Sequence, residues 1–149
     1  HQMNILYNIS DVCINISFAE GFGLGTLEAM MTGTPIIATC TGGMTRQVID
    51  HRDGSENGVG LPVEIQTMVG SQGVPYIYED YVSNNSIAKA IMKMHNLTPE
   101  DRKNLSTKVL DYAVNEFSHS KMIDQWNDTL LNICKNWKNN YKRWEQITL

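Results

Sequence analysis

The sequence predicts an α/β fold: a Rossmann-like parallel sheet with flanking helices, ending in a long C-terminal helix. Three observations predict it. An apolar run at residues 12–17 is followed by a glycine-rich turn and then by a helical stretch rich in alanine and methionine. The same order of strand, short loop and helix repeats over residues 35–50. Finally, apolar residues recur from Ile123 to Trp144 at spacings of three and four, which is the period of a helix.

The predicted elements follow one another with short connections. The first half begins with a helix end at 3–8 and a strand at 12–17 that is apolar on both faces. A glycine-rich loop at 18–24 leads to a helix from Gly25 or Thr26 to about Thr32, which Gly33 ends. A strand at 35–39, a second glycine loop at 41–43 and a short helix at 44–50 follow. Short connections of this kind require right-handed parallel crossovers. In such sheets ligands bind beyond the carboxyl ends of the strands, where both glycine loops fall.

The second half completes the domain. Its predicted elements are a loop at 51–60, a short strand at 59–63, a surface excursion at 66–74, a strand at 76–78 and a helix at 83–95. The next helix is capped by Thr98 and buries Leu105, Val109 and Tyr112. The last helix carries an apolar stripe of seven residues: Ile123, Trp126, Leu130, Ile133, Trp137, Tyr141 and Trp144. The stripe is more aromatic than one small sheet can cover, so part of it is expected to pack against something outside this chain.

Composition favours one globular domain. A chain of 149 residues supports one core, and 42% hydrophobic with 19% charged residues is typical of soluble proteins. The formal net charge of −4 offers no basic surface to nucleic acid. Three scattered cysteines show neither a disulfide pattern nor metal-ligand spacing, so no metal is expected. Without a recognisable signal peptide or transmembrane run, the predicted location is the cytoplasm.

The glycine-rich turn from Glu20 to Glu28 is the most informative segment for function. Its sequence, Glu-Gly-Phe-Gly-Leu-Gly-Thr-Leu-Glu, brings backbone N–H groups and a helix N-terminus together, which favours a phosphate. The carboxylates at its two ends accept hydrogen bonds from hydroxyls, such as a ribose diol. A nucleotide-sugar combines both chemistries. Taken singly, Glu28 is better explained as an acid favoured by the helix dipole and Glu20 as a solvated loop residue, but these explanations do not account for both acids beside three glycines and a second Gly-Gly loop.

Two other phosphate-binding patterns do not match. Gly25 comes one residue too early for the G-x-G-x-x-G pattern of dinucleotide sites, and no acid follows about 20 residues later for an adenosine ribose. A Walker loop is excluded because Gly-Lys-Ser/Thr does not occur. A dinucleotide-dependent enzyme is therefore a weak alternative.

The same residues resemble a known family. The pattern Glu-Gly-Phe-Gly-Leu-x-x-Leu-Glu-Ala-Met-x-x-Gly-x-Pro-Ile-Ile-Ala, followed by Gly-Gly, is similar to the E-x7-E donor-site signature of retaining family 4 glycosyltransferases, which have the GT-B fold. The match runs from about Leu6 to Ile49, and the remainder to about Lys135 fits more loosely. The resemblance implies that residues 1–149 form the C-terminal, nucleotide-sugar-binding domain of such an enzyme, without its N-terminal acceptor domain.

The resemblance also implies residue roles. Glu28 binds the donor ribose, and Glu20 binds the transferred sugar and faces its anomeric carbon as the catalytic residue. The other implied substrate-binding residues are Gly21, Phe22, Gly23 and Leu24 for sugar hydroxyls and phosphate, Gly25 and Thr26 for the diphosphate, and Gly42 and Gly43 for the nucleoside. Members usually carry a basic pair early in this domain, whereas no lysine or arginine precedes Glu20 here. Arg46, where an acid is common, is either a replacement cation or a surface residue.

The expected function is transfer of a hexose from GDP-mannose or UDP-glucose to an acceptor, with retention and without a metal or cofactor. The isolated chain is expected to be inactive without its N-terminal domain. Expected partners are the nucleotide-sugar, that domain and, for the whole enzyme, a membrane surface, but no nucleic acid. Two alternatives stay open: a non-catalytic nucleotide-sugar-binding module, and a UDP-sugar epimerase with GT-B architecture.

Overall fold

The computed structural model describes residues 2–140. Its elements are α1 (Gln2–Asn8), β1 (Cys13–Asn15), α2 (Leu24–Met30), β2 (Ile36–Thr39), α3 (Met44–Val48), β3 (Gly58–Leu61), β4 (Ile65–Ser71), β5 (Val74–Tyr81), α4 (Asn84–His95), α5 (Pro99–Glu116) and α6 (His119–Asn140). The chain divides into two compact units, the first ending at Glu116 and the second beginning at Phe117. No helix among the described residues has the length and apolar character needed to cross a membrane.

The first unit is built on a three-stranded parallel sheet in the order β1–β2–β3. All four residues of β2 are buried, as expected for the central strand of a covered parallel sheet. The sheet contributes Ile37, Val59 and Leu61 to a core cluster that is completed by Ala90 and Met94 from α4. The strand–helix–strand order predicted from the sequence therefore forms the expected parallel sheet.

The prediction for the first strand is wrong in extent and burial. Only residues 13–15 pair with β2, rather than 12–17. Ile14 and Ile16 are each 44% exposed. The reason is position: within the described sheet, β1 has β2 on one side only, so its outer side is not covered.

The surface excursion predicted at 66–74 is largely a strand. β4 and β5 form an antiparallel hairpin, whereas the sequence predicted a strand only at 76–78. Every residue of β4 is exposed, so the strand lacks the alternation of buried and exposed residues by which a strand is found in a sequence. The base of the hairpin contacts the segment after β1, where Asp80 N donates to Phe18 O at 2.7 Å and the rings of Phe18 and Tyr81 lie 4.4 Å apart.

The predicted helices are present, with shifted ends. α2 begins at Leu24, one or two residues earlier than predicted, and ends at Met30 rather than about Thr32. Gly33 follows with a left-handed φ of 78°. α3 ends at Val48 rather than at Asp50, because the extended backbone of Ile49 forms a bridge to Glu56.

The Thr98 cap of α5 was predicted correctly, whereas the Ser83 cap of α4 was not predicted. Ser83 accepts a hydrogen bond from Ser86 N at the start of α4, and Thr98 accepts one from Asp101 N at the start of α5. In the second unit α6 is the predicted long helix, and its stripe residues up to Trp137 are about half exposed. Tyr141 and Trp144 lie outside the described residues.

Tyr112 attaches α5 to α3 and the segment after it. Its side chain is fully buried, and its hydroxyl donates to Arg46 O at 2.7 Å and lies 3.0 Å from His51 Nδ1. Burial raises the pKa of this hydroxyl, with a smaller contribution from the charge of Asp50. The group therefore stays protonated and able to donate near neutral pH.

We expect Tyr112→Phe to lower the free energy of unfolding of this chain by about 1–2 kcal/mol, because the Arg46 carbonyl loses its buried donor. Tyr78→Phe is the matched control: Tyr78 is exposed on the hairpin, and its change should stay within about 0.5 kcal/mol. Urea unfolding followed by circular dichroism measures both. Equal stability of the two variants would contradict the assigned role.

Candidate active site at the two glycine loops

The two glycine loops lie against each other at the carboxyl end of the parallel sheet. The first joins β1 to α2 and the second joins β2 to α3. Gly43 N donates to Gly21 O at 3.1 Å. A Cβ placed on Gly42, whose φ is 47°, would stand 1.7 Å from the carbonyl oxygen of Glu20. Contact between the loops is therefore made by backbone, and no side chain fits at Gly42.

A buried amide fastens α3 to the first loop. Gln47 is fully buried, and its Nε2 donates to Phe22 O at 2.6 Å. Its Oε1 accepts from the Thr26 hydroxyl, which also lies 2.7 Å from Gly23 O. Gly23 has a left-handed φ of 85° and is the residue that caps α2. Gln47 and Thr26 thus fix the loop from its buried side.

The other side of the first loop is open to solvent. Phe22 is 42% exposed and Leu24 70% exposed. Gly21 and Gly25 are also exposed, and a Cβ on Gly21 would meet no atom within 4 Å. Two of the predicted binding residues in this loop differ: Gly23 is buried, and the side chain of Thr26 is engaged inside the protein, which leaves only its backbone for a ligand.

The two predicted acidic residues have different surroundings. Glu20 is half-buried at the start of the open loop, and its carboxylate makes no hydrogen bond or ion pair with the residues that the structure describes. Glu28 is exposed on α2, where its Oε2 accepts a hydrogen bond from the Tyr7 hydroxyl at 3.2 Å. Two acids therefore flank the open loop. Glu28, after the loop, is hydrogen-bonded to α1, whereas the Glu20 carboxylate, before it, has no partner among the described residues.

A third segment reaches this edge of the sheet. Hydrogen bonds from two side chains lower the pKa of Asp80, and the Thr41 hydroxyl contributes more than the Gln66 amide. Asp80 is therefore ionised at neutral pH. Its backbone N–H is the group that donates to Phe18 O. The base of the hairpin thus connects the segment after β1 with the start of the second glycine loop, a contact absent from the sequence-based predictions.

Arg46 is engaged away from the first loop. Its guanidinium forms an ion pair with Glu116 at the end of α5 and lies 3.3 Å from His51 Nε2. Of the two roles that the sequence left open, this geometry favours the surface residue over the replacement cation.

Gln47 and Tyr7 were both missed by reasoning from the sequence. Gln47 occupies one face of α3 with the buried residues Met44 and Val48, and a polar residue in that helical pattern is the signal for a buried hydrogen-bonding role. Tyr7 lies in a different element from the glycine turn, so spacing along the chain contains no sign of its contact.

Two cavities lie beside the elements of the first unit. One of about 390 Å³ lies between α1 and α2 and is bordered by Asn4, Tyr7 and Glu28. A second, of about 420 Å³, is lined by Ser10, Pro35 and other residues near the amino ends of the strands, on the side away from the glycine loops. The cavity beside Glu28 is the one that adjoins the predicted donor site.

This chain is similar to one protein family and to several individual proteins of known name. Residues 1–110 match the family described as glycosyl transferases group 1. D-inositol 3-phosphate glycosyltransferase from Paenarthrobacter aurescens is 46% identical over 48 residues, which cover 32% of this chain and 12% of that protein. Trehalose synthase from Pyrococcus horikoshii is 40% identical over 53 residues, which cover 36% of this chain and 13% of that protein.

Among solved structures, sucrose-phosphate synthase from Thermosynechococcus elongatus is similar with a TM-score of 0.64 and 24% sequence identity. The similarity covers 88% of this chain and 27% of that chain. Together with the parallel sheet and the long C-terminal helix, it confirms the predicted fold class, that of a GT-B glycosyltransferase. The chain spans less than a third of the length of each of these proteins.

We expect Gly42→Ala to lower the free energy of unfolding by more than about 3 kcal/mol, because a left-handed φ and a clash with the Glu20 carbonyl add together. Two glycines separate these causes. Gly54 has a φ of 78° but nothing within 4 Å of an added Cβ, so Gly54→Ala should cost about 1–2 kcal/mol. Gly21→Ala has neither problem and should stay within about 0.5 kcal/mol. Urea denaturation of the three variants is the measurement, and equal costs for Gly42 and Gly54 would contradict the loop contact.

Proposed function

This chain belongs to the glycosyl transferases group 1 family, and from that premise we propose that it is the donor-binding part of a retaining hexosyltransferase that uses a nucleoside-diphosphate sugar. The observation that carries the proposal is the first glycine loop, which is open to solvent on one side and fixed on the other by Gln47 and the second loop. GDP-mannose is the donor we propose first, with UDP-glucose as the second choice. The acceptor site belongs to a further domain of the enzyme.

The backbone of the loop supplies the electrostatic part of the proposed mechanism. The first N–H groups of a helix have no acceptor within the helix, and at α2 they begin next to the exposed residues Leu24 and Gly25. Donors that are fixed before reaction stabilise developing negative charge without reorganisation. Because Gly43 and Gln47 hold the loop in place, its dipoles are suited to the diphosphate leaving group. In this mechanism no metal ion is required.

The two carboxylates supply the recognition of hydroxyls. Glu28 binds the ribose diol, and Glu20 binds the transferred sugar and supports positive charge at its anomeric carbon. The absence of a described partner for the Glu20 carboxylate supports this role, since its oxygens remain available as acceptors. The names of the relatives support sugar transfer as the reaction class, but they differ in the product, so the proposal is confined to the donor side. A cytoplasmic location remains a prediction.

The donor assignment is tested by calorimetric titration of the chain with GDP-mannose, UDP-glucose and ADP-glucose. We expect GDP-mannose to bind most tightly. Glu28→Ala should raise its dissociation constant about 10–100-fold, because hydrogen bonds to a charged group are lost. Glu100→Ala is the matched control, since it removes an exposed acid from the first turn of α5 and should leave the affinity unchanged. Unchanged affinity in Glu28→Ala would show that another group binds the ribose.

The catalytic assignment is tested in an intact enzyme that contains this domain. Glu20→Ala should lower kcat by at least about 10³-fold while changing the dissociation constant of the donor much less, because the interaction lost belongs to the transition state. Product anomers are identified by NMR, and retention is expected. Full turnover without Glu20 would remove it from the mechanism, whereas epimerisation of UDP-sugar without an acceptor would favour the epimerase.

A further inference from the structure

Tyr7 provides a contact to the proposed donor site from outside the glycine turn. It lies near the end of α1, is half-buried, and its hydroxyl donates to Glu28 Oε2 at 3.2 Å. A Cβ on Gly25 would stand 3.5 Å from the same hydroxyl. The hydroxyl therefore lies between the carboxylate proposed to bind ribose and the first turn of α2, which is proposed to bind the diphosphate.

The position of Tyr7 is fixed by its backbone as well as by its side chain. Thr34, which is buried between α2 and β2, donates through its hydroxyl to Tyr7 O at 2.8 Å. Tyr7 O also accepts from Ser10 N at 3.1 Å. The end of α1 is thus tied to the segment that leads into the central strand, and the tyrosine ring extends from an anchored backbone.

The protonation state of Tyr7 suits a donor. Burial raises the pKa of its hydroxyl, and the hydrogen bond to Glu28 and the negative charge of that carboxylate raise it further. The hydroxyl therefore keeps its proton near neutral pH. A carboxylate oxygen accepts two hydrogen bonds, so Glu28 retains Oε1 and one acceptor position on Oε2 while Tyr7 is bound. That is sufficient for two adjacent ribose hydroxyls.

We propose that Tyr7 is a positioning residue that holds the Glu28 carboxylate in the orientation needed to bind the ribose diol of the donor. The inference rests on the proposed function, because it requires Glu28 to be the ribose residue. An exposed glutamate on a helix samples several rotamers, and binding a diol selects one of them. A hydrogen bond from an anchored tyrosine makes that selection before the ligand arrives, which is preorganisation.

The test compares GDP with 2′,3′-dideoxy-GDP by calorimetry on this chain, with the UDP pair in parallel. In the unmodified chain the dideoxy form should bind at least about tenfold more weakly, because it lacks both hydroxyls. Tyr7→Phe removes only the hydroxyl group. It should weaken GDP binding about fivefold, leave the binding of the dideoxy form unchanged and so reduce the difference to about twofold. In a Glu28→Ala background it should have no further effect.

Tyr78→Phe is the control, because it removes the same group from an exposed tyrosine on the hairpin and should preserve the full difference. Circular dichroism melting verifies the fold of each variant. Equal weakening of both nucleotides by Tyr7→Phe, or no weakening of either, would overturn the positioning role while leaving Glu28 as the ribose residue. If Glu28→Ala kept the full difference between the nucleotides, or if neither pair bound, the proposed function itself would fail, and the inference with it.

Discussion

The close approach of two backbone segments is the constraint on which the candidate site depends. The carbonyl of Glu20 occupies the space that a side chain at Gly42 would need. This contact brings the loop after β1 and the loop after β2 together, and a hydrogen bond from Gly43 to Gly21 completes it. Neighbouring parallel strands end at the same edge of a sheet, so the fold places the two loops side by side there. The backbones can touch only because the residue at the contact is glycine.

Buried polar groups make this contact rigid. Gln47 satisfies both ends of its amide, one with the Phe22 carbonyl and the other with the Thr26 hydroxyl. A satisfied amide without solvent access specifies one arrangement, since any shift of the loop leaves a polar atom unpaired. Farther from the loops, the hydroxyl of Tyr112 binds the carbonyl of Arg46, which ties the same short helix to α5. α3 is thus held on two sides although it has only five residues.

Much of the fold was predictable because its signals are local. The apolar run of β2, the cap of α5 and the glycine loops each follow from a few adjacent residues. The errors arose where tertiary context decides. β1 is as apolar as a central strand but is an edge strand of the described sheet. β4 has no buried face, so no alternation of apolar and polar residues predicted it. In the site, the glycines predicted that both loops lie at the carboxyl ends of the strands, but not that the loops touch. Tyr7 and Asp80 come from other elements and are joined to the loops only by folding.

Under the proposed function, the charges near the glycine loops divide the recognition of the donor between two kinds of group. No lysine or arginine precedes Glu20, and Arg46 is paired with Glu116. The residues described at the loops therefore contribute carboxylates and backbone dipoles. Carboxylates are good partners for hydroxyls and poor ones for a diphosphate, whereas the N–H groups at the start of α2 have the opposite preference. Placing the two kinds of group along one chain segment matches the alternation of hydroxyl, phosphate and hydroxyl in a nucleotide-sugar. Under the proposed function, the backbone donors carry only partial charges, so they stabilise part of the charge of the leaving diphosphate, and a basic residue elsewhere in the enzyme would complement them.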